Sequence, residues 1–242
     1  MASSAQRKRL EPTRSAPPVR AAQVSRDIVV GAVHTGMRLA VREFERWTDG
    51  ESLADWGVES VLTTNCARAI CRAARASGGL TAVTLEQRFA SLRDWSARRN
   101  RPGRPPEAAR RLIDQPNKRV DLVLWNGNGT PRAIVEVKRS DTVSGLVADA
   151  ERLTDFVRYA GRAYGGTVRY GLLATLVQHP ISASPSARTQ KVCRRYDALS
   201  ELAQARGFRL RVHGPYPAPF EGGHHRCDVE TIVFEFALPS GA

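Results

Sequence analysis

The sequence predicts an α/β protein with a central mixed β-sheet flanked by helices, on three observations. Residues 119–138 read as two apolar strands joined by an Asn/Gly-rich turn. Residues 168–177 and 229–237 are short, nearly continuous apolar runs of the kind a sheet buries on both faces. Between and before them lie stretches with apolar residues at helical spacing. Strands and helices that alternate along one chain fold as a sheet with helices against it.

In chain order, residues 1–22 mix Arg, Lys, Ser and Pro without periodicity, the composition of a disordered basic tail. Residues 23–242 are expected to form one domain. From Ser25, an N-cap residue, Val30, Val33, Met37, Ala40, Phe44 and Trp47 form one helical stripe. His34 lies beside that stripe and reads as a packing residue. A second helix is expected from near Glu51, with Leu62, Cys66, Ala69 or Ile70, and Ala73 on one face. Glu59 extends this stripe one turn upstream, and an acid on an apolar stripe is costly unless paired or metal-bound. Leu85, Phe89, Leu92 and Trp95 predict a further helix over 82–98.

A basic passage follows. Arg98, Arg99, Arg101, Arg104, Arg110, Arg111, Lys118 and Arg119 fall within 22 residues, and four prolines prevent one continuous helix. It leads into the hairpin and should flank what the hairpin carries, a phosphate-tracking role if the substrate is nucleic acid. Beyond the hairpin, a helix over 143–163, the strand 168–177, a helix over 191–205, a strand around 208–212 and the strand 229–237 complete the order.

Composition narrows the function classes. No apolar run reaches the eighteen or so residues of a membrane span, and the first residues lack a signal-peptide core. Four cysteines in 242 residues form no disulfide framework, which favours the cytoplasm. The net charge of +13 favours a polyanionic partner, nucleic acid above all. His213 and the His224-His225-Arg226-Cys227 segment do not have zinc-ligand spacing.

The chemistry concentrates in the hairpin. Asp121 stands on its first strand, and Ile134, Glu136 and Lys138 share one face of its second. An Asn128-Gly129 turn would set Asp121 opposite Glu136; an Asn126-Gly127 turn would set it opposite Arg132, too far from Glu136 for a shared ligand. Two close carboxylates leave a Mg²⁺ ion room for waters and phosphate oxygens, with Mn²⁺ the alternative ion. Lys138 would orient or deprotonate the attacking water and offset charge on the phosphate.

Asp121, fourteen intervening residues, then Glu136-Val137-Lys138, with apolar strand residues around each and a helix following, resembles the PD-(D/E)xK nuclease superfamily. The resemblance covers about 51–177 and implies the restriction-endonuclease-like fold, here with an extra N-terminal helix and C-terminal strands. It implies Asp121 and Glu136 as metal ligands, the Val137 carbonyl as a third, Lys138 as catalytic, and Glu59 as the helix-borne acid, with Glu51 and Asp55 as rivals. Val120 stands where the superfamily's name has proline. The implied function is Mg²⁺-dependent hydrolysis of phosphodiester bonds in nucleic acid, DNA favoured, with the eight basic residues above and Arg139 contacting the backbone. A homodimer would suit cutting two strands. The alternative is a catalytically silent nuclease-like module used for nucleic-acid binding or assembly.

Overall fold

The computed structural model describes residues 24–78, 82–89, 91–92, 118–139, 142–161, 166–218 and 227–239. The basic tail and Arg98, Arg99, Arg101, Arg104, Arg110 and Arg111 lie outside the described residues, as do His224 and His225. The elements are α1 (Arg26–Trp47), α2 (Leu53–Trp56), α3 (Glu59–Ala76), β1 (Ala82–Arg88), β2 (Arg119–Trp125), β3 (Pro131–Lys138), α4 (Val143–Tyr159), β4 (Tyr170–Pro180), α5 (Pro185–Ala205), β5 (Arg209–Pro217) and β6 (Cys227–Ala237). Among the described residues six strands form one open mixed sheet in the order β1-β2-β3-β4-β6-β5. Among these described strands, β3 and β4 run parallel, joined across α4, and the other neighbours are antiparallel.

Helices cover both faces. Val33 and Met37 of α1 and Leu62 and Ile70 of α3 pack on Leu124, Val135, Leu172 and Val233. On the other face Leu146, Leu153 and Phe156 of α4 and Leu199 of α5 pack on Ile134, Leu173 and Phe234. The expected α1 forms with Ser25 as its cap, the Ser25 hydroxyl accepting the Ile28 N–H at 3.2 Å. Helix α5 begins at Pro185 rather than 191, because Ser184 caps it and proline suits the first helical turn, where its missing N–H costs nothing. Among the described residues no helix is long and apolar enough to cross a membrane.

Two further elements differ from the sequence reading. The expected helix over 82–98 is a strand over its first seven residues. The β-branched pair Val83 and Thr84 suits the open edge of β2, where 82–88 pairs antiparallel and Thr84 Oγ1 accepts the Trp125 indole N–H at 2.8 Å. Phe89 and Leu92 are buried as expected, while Leu85, supposedly on the same stripe, is 42% exposed. The expected helix from Glu51 is divided in two at Gly57-Val58. A Cβ at Gly57 would meet Leu53 Cγ at 2.6 Å, so this break depends on glycine.

Candidate active site

The register of β2 against β3 decides whether the two acids meet. Leu122 faces Val135 and Val123 faces Ile134, which aligns Asp121 with Glu136. The route to this register corrects the turn reading. Gly127 and Asn128 are the central turn residues, Gly129 N–H donates to Asn126 O at 2.9 Å, and Gly129 takes a φ of +74° that favours glycine. With Gly129 the loop is three residues long and is closed by the Asn126 N–H on Thr130 O at 2.8 Å, which sets Trp125 opposite Pro131, one residue out of step with the acids. A bulge at Arg132, between the Trp125–Pro131 and Leu124–Ala133 pairs, restores the step.

Asp121 is passed over by the ladders on both sides. On β1, Leu85 pairs with Leu122 and Gln87 with Val120, while Glu86 between them takes a φ of +49°. On β3 the pairs stop at Val135, and the Asp121 carboxylate instead accepts the main-chain N–H of Val137 at 2.7 Å. Strand alternation breaks here: Val120 joins the α4 core, whereas Leu122 joins the α1/α3 core.

Glu136 is 2% exposed and lies on the α4 face of β3 with Ile134. Burial, then the neighbouring Asp121, push its carboxyl well above the usual range, against the pull of Lys138 and Arg152. Burial raises Asp121 too, and the Val137 N–H, Lys138 and a hydrogen bond with Glu136 only partly offset it. Burial and mutual repulsion thus penalise the charged forms of both carboxyls. Glu136 Oε1 is buried and has no hydrogen-bond partner. A cation would satisfy that oxygen and remove the repulsion within the pair, so the two carboxylates suit a divalent ion. Among the described residues no three His, Cys, Asp or Glu side chains gather into a metal site. Any ion here would depend on the two carboxylates, the Val137 carbonyl and water, a donor set that suits Mg²⁺.

Lys138 Nζ lies 3.5 Å from Asp149 Oδ2 and 3.6 Å from Glu59 Oε2. Burial lowers its pKa, but Asp149, Glu59, Glu136 and Asp121 outweigh that and leave it raised. The positive charge that these acids favour on Lys138 fits its expected role of offsetting negative charge on a phosphate. Asp149 was missed in the sequence. It is 8% exposed on α4 and also binds Arg152, an (i, i+3) pair. A buried acid between Leu146, Ala150 and Leu153 was the available signal, the same one that marked Glu59.

Glu59 is the first residue of α3 and accepts the Arg139 main-chain N–H at 3.4 Å. It reaches Lys138, whereas Asp55 Oδ1 is occupied by Gln178 Nε2 at 2.9 Å and Glu51 is exposed before α2. Of the basic residues expected on a phosphate backbone, Arg119 pairs with Glu86 at 2.6 Å, and Lys118 is exposed at the start of β2. Arg139 donates to the carbonyls of Ala54 and Asp55 at 2.9 and 2.6 Å, tying α2 to the end of β3. His34 packs as expected, with Nδ1 2.8 Å from Thr231 Oγ1 and its ring edge-on to Tyr216; burial, then His213, lower its pKa to about 4.

Set against family models, curated proteins and solved structures, the chain matches none of them.

Proposed function

We propose that the chain is a Mg²⁺-dependent nuclease of the PD-(D/E)xK type, with a restriction-endonuclease-like core, that hydrolyses phosphodiester bonds in nucleic acid, DNA in preference to RNA. The observation that carries this reading is the pairing of half-buried Asp121 with buried Glu136, with a partnerless oxygen on Glu136 and a lysine two residues on. Asp121, Glu136 and the Val137 carbonyl would hold the ion. Bound there, a divalent cation supplies a water of lowered pKa and charge neutralisation at the phosphoryl group.

The chain's own residues supply the rest. The Val137 N–H holds one oxygen of Asp121, the acid that the strand register aligns with Glu136. Lys138 keeps its positive charge near the phosphate, where negative charge grows as water adds to phosphorus and the bond to the leaving oxygen breaks. Asp149 and Glu59 hold the lysine from two sides. The net charge of +13 supports a polyanionic substrate.

The test incubates supercoiled plasmid, single-stranded DNA and single-stranded RNA with the protein in Mg²⁺ or EDTA, beside Asp121→Ala and Lys138→Ala. Cleavage that needs Mg²⁺ and is lost in both variants is the expected result. Cleavage that survives both substitutions sinks the site, and salt-sensitive binding without cleavage identifies a silent binding module.

A further inference from the structure

Trp56 is 73% exposed and Val58, two residues on, is 59% exposed, an unusual investment of large apolar surface in one short connection. The connection is held firmly. Leu53 is fully buried, Trp56 N–H donates to Ser52 O at 3.0 Å, and Gly57 N–H donates to Leu53 O at 2.9 Å. Arg139 holds the carbonyls of Ala54 and Asp55, and Gln178 holds the Asp55 side chain. Every one of these ties leaves the Trp56 indole in solvent.

Its position is specific. Three residues after Trp56, Glu59 meets Lys138, and the arginine that clamps α2 follows that lysine in the chain. An exposed indole on a tied-down connection, three residues from the acid that meets Lys138, matches one occupant best, an unstacked nucleobase, because every base offers a flat π-face and stacking needs no hydrogen-bond code. A paired base inside a duplex hides that face.

Resting on the nuclease reading above, we propose that Trp56 is a stacking platform at the mouth of the site, and that the site takes single-stranded or frayed nucleic acid in which a base next to the scissile phosphate is unpaired. Val58 widens the apolar surface on which the base rests.

The test measures fluorescence anisotropy of a labelled single-stranded DNA oligomer and of a blunt duplex, both in EDTA so that no cleavage intervenes. Wild type is compared with Trp56→Ala, Trp56→Phe and Tyr196→Ala, the last removing a half-exposed aromatic from α5. Trp56→Ala should weaken single-strand binding by about tenfold, the scale of one base–aromatic stack, and duplex binding by less than about twofold. Trp56→Phe should recover most of the loss, and Tyr196→Ala should change neither. Equal binding by wild type and Trp56→Ala, or equal losses for both DNAs, overturns the proposal. Cleavage by the wild type is scored separately: with cleavage but no Trp56 effect, only the stacking role fails; with a Trp56 effect but no cleavage, only the nuclease reading fails.

Discussion

The Asp121 carboxylate accepts the Val137 N–H at 2.7 Å, so one acid of the pair is aimed by the strand that carries the other. A charge-assisted hydrogen bond of this kind is worth about 1.5–3 kcal/mol. It sets the acid where the β1 and β3 ladders both pass it over, and where its neighbour is a carboxyl with an oxygen lacking any partner. Four expectations follow from that arrangement and its surroundings.

Glu136→Gln keeps the side chain's shape and removes a carboxyl whose charged form burial and Asp121 both penalise. In EDTA this variant should melt above the wild type, by about 2–4 °C for each kcal/mol gained in a chain of this size. Mg²⁺ should raise the melting temperature of the wild type and leave the variant unmoved. Thermal denaturation with and without the ion checks both, and a lower melting point for the variant in EDTA contradicts the repulsion.

Both carboxyls have folded-state pKa values raised above the ordinary range. The folded chain therefore keeps a proton that the unfolded chain releases. This contribution to stability is complete below the ordinary carboxyl pKa and is lost as pH rises through the raised value. Denaturant midpoints of the cation-free wild type, compared with an Asp121→Asn/Glu136→Gln double variant from about pH 4 to about pH 8, should diverge as pH increases. Parallel profiles would show that neither group is shifted.

On the proposed nuclease reading Asp149 would position Lys138, which it meets at 3.5 Å. Asp149→Asn should reduce Mg²⁺-dependent cleavage by about 10–100-fold, the usual cost of losing a supporting partner. Because Asp149 is the largest of the charges that raise the Lys138 pKa, the alkaline limb of the pH–rate profile should also move to lower pH. A purely structural role would lower activity without moving that limb.

Arg139→Ala removes two hydrogen bonds from a charged donor to the α2 carbonyls. The loss should destabilise the chain by about 1–3 kcal/mol and speed amide hydrogen exchange across 53–58. Exchange there that matches the wild type would mean that buried Leu53 alone anchors the connection.

The sequence by itself determined the elements whose signals are local. Ser25 and the stripe from Val30 to Phe44 specify α1, because a cap and a periodic face need no distant partner. The apolar hairpin likewise specifies β2 and β3, and Glu136 and Lys138 share a face by strand alternation. Tertiary structure decided what depends on neighbours. Leu85, Phe89 and Leu92 imitate a helical face, but the open edge of β2 drew 82–88 into the sheet. The register at Asp121 and Glu136 came from a glycine-ended turn and a bulge at Arg132 acting together, and turn composition alone does not reveal the bulge. Asp149 lies on a helix that reaches β3 only when packed, and Arg139, one more positive charge in a basic sequence, became a strut because α2 folds against the end of its strand. Periodicity records which face of an element is apolar; which charged groups meet across elements is set by packing.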